Sequence, residues 1–336
     1  MGTSVNATSK VKVWGGGNKP LNASYGKMMM WFFIVSDALT FSGFIVSYGF
    51  ARFKFADSWP IADEVFTHVP FFKGEYPMIY VAFMTFVLIM SSVTMVLAVD
   101  AGHKMKKAKV TFYMFLTIIG GIIFVGSQAW EWATFIKGDY GAVKTQGGDI
   151  LQFLDSETSK RVAVSDFADV YFTDREEHKY SNGIYYKAGS SVPSNYSDES
   201  HPIKGVIEGF EANPNLLVRI QTLDDNGQKI ILSREQSLKR LEGGVKVVNG
   251  APLFGDNAFK ENEYGLPAFG NYFFFITGFH GFHVFTGIVI NIIIFLNVVI
   301  GTYERRNSYE MVEKVGLYWH FVDLVWVFVF TFFYLV

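Results

Sequence analysis

Two histidines three residues apart, His280 and His283, sit near the middle of Phe269–Gly301, a 33-residue stretch with no other side chain that titrates near neutral pH. A second pair at the same spacing, His320 and Asp323, lies in the last apolar run. A lone carboxylate, Asp37, lies in the first. Residues three apart share one face of a helix. Imidazoles and carboxylates in hydrocarbon are costly unless paired, so each is a functional question by default. Two chemistries are open to them: a carboxylate–imidazole hydrogen-bond network, or ligation of a metal or haem by imidazole. The expectation is the network, with the His280/His283 face meeting Asp37 and the His320/Asp323 face. Against ligation, two imidazoles on one face of one helix cannot clamp a haem from both sides, and no further ligand cluster accompanies them. Glu131 stands between Trp130 and Trp132 and is expected at the membrane interface, where Trp is enriched.

The elements that position these residues follow from hydropathy. An apolar run of ~20 residues spans a bilayer. Five such runs occur: Met28–Arg52, Pro77–Val99, Val110–Ile136, Phe269–Gly301 and Val315–Val336. Half of the 336 residues are apolar and 18% are charged. Residues 1–27 read as a flexible basic arm, 28–137 as spans one to three, 138–268 as an inserted extramembrane domain, and 269–336 as spans four and five. The insert carries 14 basic and 20 acidic residues, a net of −6. Leu216–Ser233 reads as two strands around an Asn-Gly turn, Ser233–Leu241 as a capped helix, and 181–183 as a second turn. The fold class is therefore an all-α membrane bundle with a small α+β insert. The loops 100–109 and 301–314 and the arm hold most of the flanking Lys and Arg, which places them in the cytoplasm and the insert and C-terminus outside.

With no cysteine, disulfides, thiolate metal sites and cysteine-held clusters are excluded. There is no phosphate-binding glycine loop, nucleophile elbow or zinc-protease motif, and nothing calls for nucleic acid. The start does not read as a cleavable signal peptide. Gly278, Gly281 and Gly287 are expected to let a neighbouring helix approach the histidine face closely.

Four segments then carry a resemblance: WFFIVSDALTFSGFIV (31–46), FVGSQAWEW (124–132), NYFFFITGFHGFHVFTG (271–287) and YWHFVDLVWVFVFTFFYLV (318–336). They resemble subunit III of the haem–copper cytochrome oxidases, in its bacterial five-helix form. The resemblance implies a subunit without a catalytic centre, metal or cofactor of its own. It implies packing against subunit I, with haem and copper held by subunits I and II. It also implies phospholipid in a V-shaped cleft between the helices, and support for proton uptake and durability of subunit I. The location it implies is a bacterial plasma membrane, within an aerobic respiratory chain. Asp37 stands where the family usually has glutamate; Glu131, His280, His283, His320 and Asp323 match as they stand. Asn297 falls where the family often has a lipid-binding arginine, which leaves Trp31, Arg305 and Arg306 as headgroup candidates. The family usually joins these spans by a short loop, so residues 138–268 are expected to dock a partner, such as an alternative complex III or a cytochrome c donor. The competing readings are subunit III of a quinol oxidase or the accessory protein of nitric oxide reductase, which share the fold, and a stand-alone proton-coupled transporter. The last predicts an inverted repeat, and the sequence has none.

Overall fold

The computed structural model describes residues 24–70, 76–168, 178–181, 184–187, 201–224, 228–254 and 257–335. Five long helices form the body: α1 (Tyr25–Lys54), α3 (Ile79–His103), α4 (Lys107–Lys137), α8 (Pro267–Ile300) and α10 (Glu310–Val329), the last continued by a π-helical stretch, Phe330–Leu335. Short helical turns α2 (Ala62–Val65), α5 (Val164–Phe167) and α9 (Thr302–Arg305) lie in connections. Each long helix is long and apolar enough to cross a membrane.

The helix ends follow local chemistry. Ser24 caps α1, its hydroxyl accepting from the Lys27 amide. The second span starts at Ile79 rather than Pro77, because Met78 adopts φ +60° and breaks the helical path. The fifth starts at Glu310, five residues before the expected Val315. Its charged first turns are held by Lys314–Glu310 at 3.1 Å and Lys27–Glu313 at 2.7 Å. Gly301 ends α8 at φ +79°, a conformation that favours glycine, and its amide returns to Asn297 and Val298 carbonyls.

Helices α3, α4, α8 and α10 close a four-membered ring, each packed on the next, and α1 leans on α10 and α8 from outside. The ring core is large and mostly apolar: Trp319, Trp326, Phe124, Phe273, Met84 and Met95 are all but fully buried. In the most apolar window of α1 only 6% of residues are buried, against 39–50% for the other spans. Phe32, Leu39, Phe86, Phe112, Phe282 and Ile293 point outward. So much exposed apolar surface is untenable in water and natural in lipid, where helices satisfy their own backbone. The chain is a multi-pass membrane protein.

Between α4 and α8 lies the α+β insert. Its five-stranded antiparallel sheet has the order β6-β5-β2-β1-β7, built from β1 (Ala142–Thr145), β2 (Ile150–Asp155), β5 (Leu216–Leu223), β6 (Lys229–Ile231) and β7 (Gly244–Val248). Strands β3 (His178–Ser181) and β4 (Ile184–Lys187) pair separately. The expected Asn-Gly turn falls on 225–227, outside the described residues, but its flanking strands do pair and the Asp224 amide donates to the Gln228 carbonyl. Of the second expected turn, 182–183 lie outside them too. Helix α7 (Arg234–Glu242) has the capping box expected from Ser233 and Gln236. Alternation along the strands sorts the sheet's faces. Val143, Leu151, Phe153, Leu216 and Val218 join Val206 and Phe210 of α6 (His201–Ala212) and Leu241 of α7 in one core. Gln152 and Arg219 lie on the opposite face.

That polar face is fixed to the membrane body by buried charges. Glu64 on α2 accepts from both terminal nitrogens of Arg219, at 3.2 and 2.8 Å, and from Lys229. Arg219 Nε donates to Gln152 Oε1 at 2.9 Å, and Gln152 Nε2 donates to the Glu263 carbonyl at 3.1 Å. The fully buried Glu263 carboxylate accepts from the Gly250 and Gly141 amides at 2.6 and 3.2 Å, with Arg161 3.9 Å away. Burial by itself would raise the Glu64 carboxyl, but the Lys229 and Arg219 charges outweigh it and hold Glu64 below its ordinary value of 4.5. Burial draws Lys229 down to about 8 against the pull of Glu64, so it stays charged at neutral pH.

Replacing Glu64 by Gln leaves two cations facing each other without a counter-charge. The attachment of the insert is expected to weaken by roughly 3 kcal/mol, seen as faster amide exchange in β5 and β6; unchanged exchange would refute the coupling. The same contact sets a pH window. The folded-state pKa of Glu64 is depressed, so its stabilisation is present above about pH 4.5 and is lost as pH falls through the folded value. Protection factors of β5 and β6 should be flat near neutrality and fall only on acidification.

Candidate functional site

The site is built on α8. Its Asp37-facing edge is His283. The His283 Nδ1–H donates to the Phe279 carbonyl one turn back, at 2.8 Å. A carbonyl can only accept, which fixes that proton. The other nitrogen, Nε2, lies 3.2 Å from Asp37 Oδ2 on α1. This is an ion-pair distance, although Asp37 Oδ2 is out of line for a hydrogen bond. Phe41 stacks edge-on against His283 at 5.5 Å, and Phe279 lies at 4.7 Å, so the pair is walled by rings. Tyr318 of α10 donates to the His283 carbonyl at 3.0 Å and meets Thr286 at 3.0 Å.

His280, on the same face, points elsewhere. It is fully buried, and its Nε2–H donates to the Val322 carbonyl of α10 at 3.0 Å. Rings of Phe124 and Trp326 enclose it at 5.7 and 5.1 Å, and Nδ1 has no partner. His320 meets Ser92 of α3 through Nδ1 at 2.7 Å, and Asp323 shares that hydroxyl. The single five-residue network expected from spacing therefore divides. Asp37 and His283 tie α1 to α8, His280 ties α8 to α10, and His320 with Asp323 ties α10 to α3. A shared face fixes which residues point together, not which neighbour they meet.

Glu131, near the end of α4, turns into the bundle and is only 3% exposed. Gln128 Nε2 donates to it at 2.8 Å, and Tyr334 donates at 3.2 Å from the end of the last span. Its flanking tryptophans are half-buried against neighbouring helices: Trp132 Nε1 donates to Thr277 of α8 at 2.9 Å, and Trp130 packs edge-on against Tyr80. Among the glycines, a Cβ on Gly278 would lie 2.9 Å from Trp132 and one on Gly287 3.1 Å from Trp319, as close approach requires. Gly281 has open space beside it and serves no such contact.

Sequence reading missed the hydroxyls of α3. Trp319 Nε1 donates to Ser91 at 3.1 Å, and Trp326 Nε1 donates to Thr85 at 2.9 Å. A signal was present: Trp319 and Trp326 are seven residues apart, two helical turns, and Thr85 and Ser91 stand on a largely apolar α3. Trp31 is 55% exposed on α1, and Arg305 and Arg306 are exposed beside α9. Asn297 donates to the Ile293 carbonyl at 2.9 Å within its own helix.

For a metal, the nitrogens His283 Nδ1 and His280 Nε2 are already committed to carbonyls. Among the described residues no three His, Asp or Glu side chains gather as a metal site would need.

Comparison with known proteins falls on this same region. The sequence model of cytochrome c oxidase subunit III matches residues 261–336, which hold His280, His283, His320 and Asp323. Cytochrome c oxidase subunit 3 of Marchantia polymorpha is 41% identical over 63 residues, covering 19% of this chain and 23% of the relative. That of Thermostichus vulcanus is 40% identical over 79 residues, covering 21% and 37%. That of Dictyostelium citrinum is 35% identical over 72 residues, covering 18% and 17%. The chain thus aligns with well under half the length of these curated relatives. Asp37, Glu131 and the insert lie outside the matched segment. That segment, set in a bundle of five apolar helices, is thus similar to subunit III of cytochrome c oxidase.

Proposed function

We propose that this chain is the non-catalytic subunit III of a proton-pumping haem–copper terminal oxidase in a bacterial plasma membrane. The observation that carries the reading is the position of the family match: it covers α8 and α10, two of the four helices that close the ring. In this reading subunits I and II hold the haem and copper, and this chain binds phospholipid and supports the stability and proton uptake of subunit I. The outward faces of α1 and of the ring supply apolar surface for acyl chains and for a large neighbour. Trp31, Arg305 and Arg306 are the headgroup candidates. The N-terminal arm and both basic connections are cytoplasmic, and the insert and C-terminus face outward. The insert docks an electron-donating partner, an alternative complex III or a cytochrome c. Exposed Glu208, Glu211, Glu235 and Glu242 on α6 and α7 offer such a partner negative charge.

The polar residues act as positioning groups. Asp37 and His283 hold α1 against the ring while leaving most of α1 to lipid. Affinity purification of the tagged chain should bring subunits I and II and the haem spectrum of an oxidase. Purification of the chain without them would overturn the proposal. Asp37→Ala should leave oxidase chemistry present but cost ~1–2 kcal/mol of subunit association, the scale of intramembrane polar contacts. Its measure is subunit retention during purification and the decay of turnover with time; wild-type behaviour in both would refute the role. Replacing the four exposed glutamates with glutamine should slow association with a basic donor about tenfold at low salt and flatten its salt dependence. An unchanged rate would remove those helices from the docking surface.

A further inference from the structure

The polar face of the insert's sheet carries two glutamines with opposite fates. Gln152 is hydrogen-bonded at both ends of its amide, to Arg219 and to the Glu263 carbonyl. Gln221, on the same face of the neighbouring strand, is only 6% exposed, yet neither its Oε1 nor its Nε2 has a partner. Buried amides are almost always paired, so one with both ends open needs an explanation. The difference between them is location. Gln221 lines a cavity of about 280 Å³ between the insert, the Ala56–Ser58 turn and the segment that leads into α8.

The register places a cation in the same row. Leu151 pairs with Ile220 and Lys144 with Ile150, which aligns Lys144, Ile150 and Gln221 across three adjacent strands on one face. All three line the cavity. Lys144 is half-buried and forms no ion pair among the described residues. The acids of the cavity wall are engaged elsewhere: Asp149 with Arg240 at 3.1 Å, and Glu261 with Lys246. The Cα atoms of Lys144 and Gln221 are two strand spacings apart, roughly 10 Å. The cavity therefore offers one uncompensated ammonium at one end and an amide with a free donor and a free acceptor at the other. Its size is near the lower end of small-molecule sites.

We propose that this cavity is a binding site for a small oxyanion carrying a hydroxyl or amine a few bonds from its charge. Lys144 takes the anionic group. Gln221 donates to one ligand oxygen and accepts from the hydroxyl or amine. Glycerol phosphate and ethanolamine phosphate have this chemistry, either as free molecules or as phospholipid headgroups, and the cavity lies beside the outer end of α8.

The test uses the full chain in its complex, purified in detergent or reconstituted into bilayer discs. Calorimetry with sn-glycerol 3-phosphate and with phosphoethanolamine should show saturable binding that Lys144→Met and Gln221→Met each weaken about tenfold or more. Binding of these soluble probes identifies a free ligand. A Tm rise in discs of phosphatidylglycerol or phosphatidylethanolamine over phosphatidylcholine, lost in both variants and without soluble-probe binding, identifies a headgroup. Lys144 is on a half-buried position, so Lys144→Met keeps the test open where Gln221→Met fails to fold. The proposal is overturned by the absence of both responses, or by responses that persist unchanged in Lys144→Met.

Discussion

Withdrawing polar groups from hydrocarbon is the constraint on which the rest of this structure depends. A bilayer returns no hydrogen bond to an exposed indole, carboxylate or imidazole, so each must find a partner on a neighbouring helix. The bundle solves this pairwise. Trp319 and Trp326 turn their N–H groups onto Ser91 and Thr85, two rungs of one ladder between α10 and α3. Trp132 does the same to Thr277 across α4 and α8. These contacts also set how close the helices lie. Gly121 faces the Trp319 ring so tightly that an added Cβ would sit 2.6 Å from it, and Gly287 flanks the same ring on α8. Bulk and polarity are therefore fixed together: the indole that fills the core is oriented by the hydroxyl it must reach.

Helix α1 obeys the constraint differently. Its buried residues are few, chiefly Phe41 and Tyr48, and its attachments are polar at three depths. Lys27 pairs with Glu313 and Ser24 meets Glu310 at one end, Asp37 meets His283 in the middle, and Ser47 meets Tyr272 at 2.8 Å toward the other. A helix held this way keeps its orientation without covering itself in protein. That suits an element whose remaining surface is solvated by lipid or by a second subunit, because interhelical polar contacts fix register while small apolar losses are returned by acyl chains.

Much of this was legible in the sequence, and the failures have identifiable causes. Span positions, the α7 capping box and the β5–β6 pairing follow from local patterns, and local patterns survive folding. Span ends moved where the pattern was not local: Met78 breaks the helix before Ile79, and Glu310 extends the last helix because Lys314 pairs with it one turn on. The histidine and aspartate positions were visible, but spacing alone does not say which neighbour a face meets, so one network became three separate ties. The burial of Glu131 among side chains had little local signal: its partners are Gln128, one turn back, and Tyr334, 203 residues on. The chain Glu64–Arg219–Gln152–Glu263 joins four separate segments of sequence, and no periodicity announces it.

That chain has a consequence for how the insert relates to the membrane body. A domain on flexible linkers would transmit little of what it binds. Here the sheet's polar face is held by Glu64 from the connection between α1 and α3 and by Glu263 from the approach to α8, with Arg219, Lys229 and Arg161 between them. Separating those charges would expose each to an uncompensated environment, which opposes movement of the insert against the span ends beside it. Glu263 lies four residues before the start of α8, the helix that carries His283. The Phe279 carbonyl takes the His283 Nδ1 proton, which leaves Nε2 to face Asp37 of α1 at 3.2 Å. Glu263, which anchors the insert, and His283, which holds α1, thus sit on one continuous stretch of chain, the approach to α8 and α8 itself.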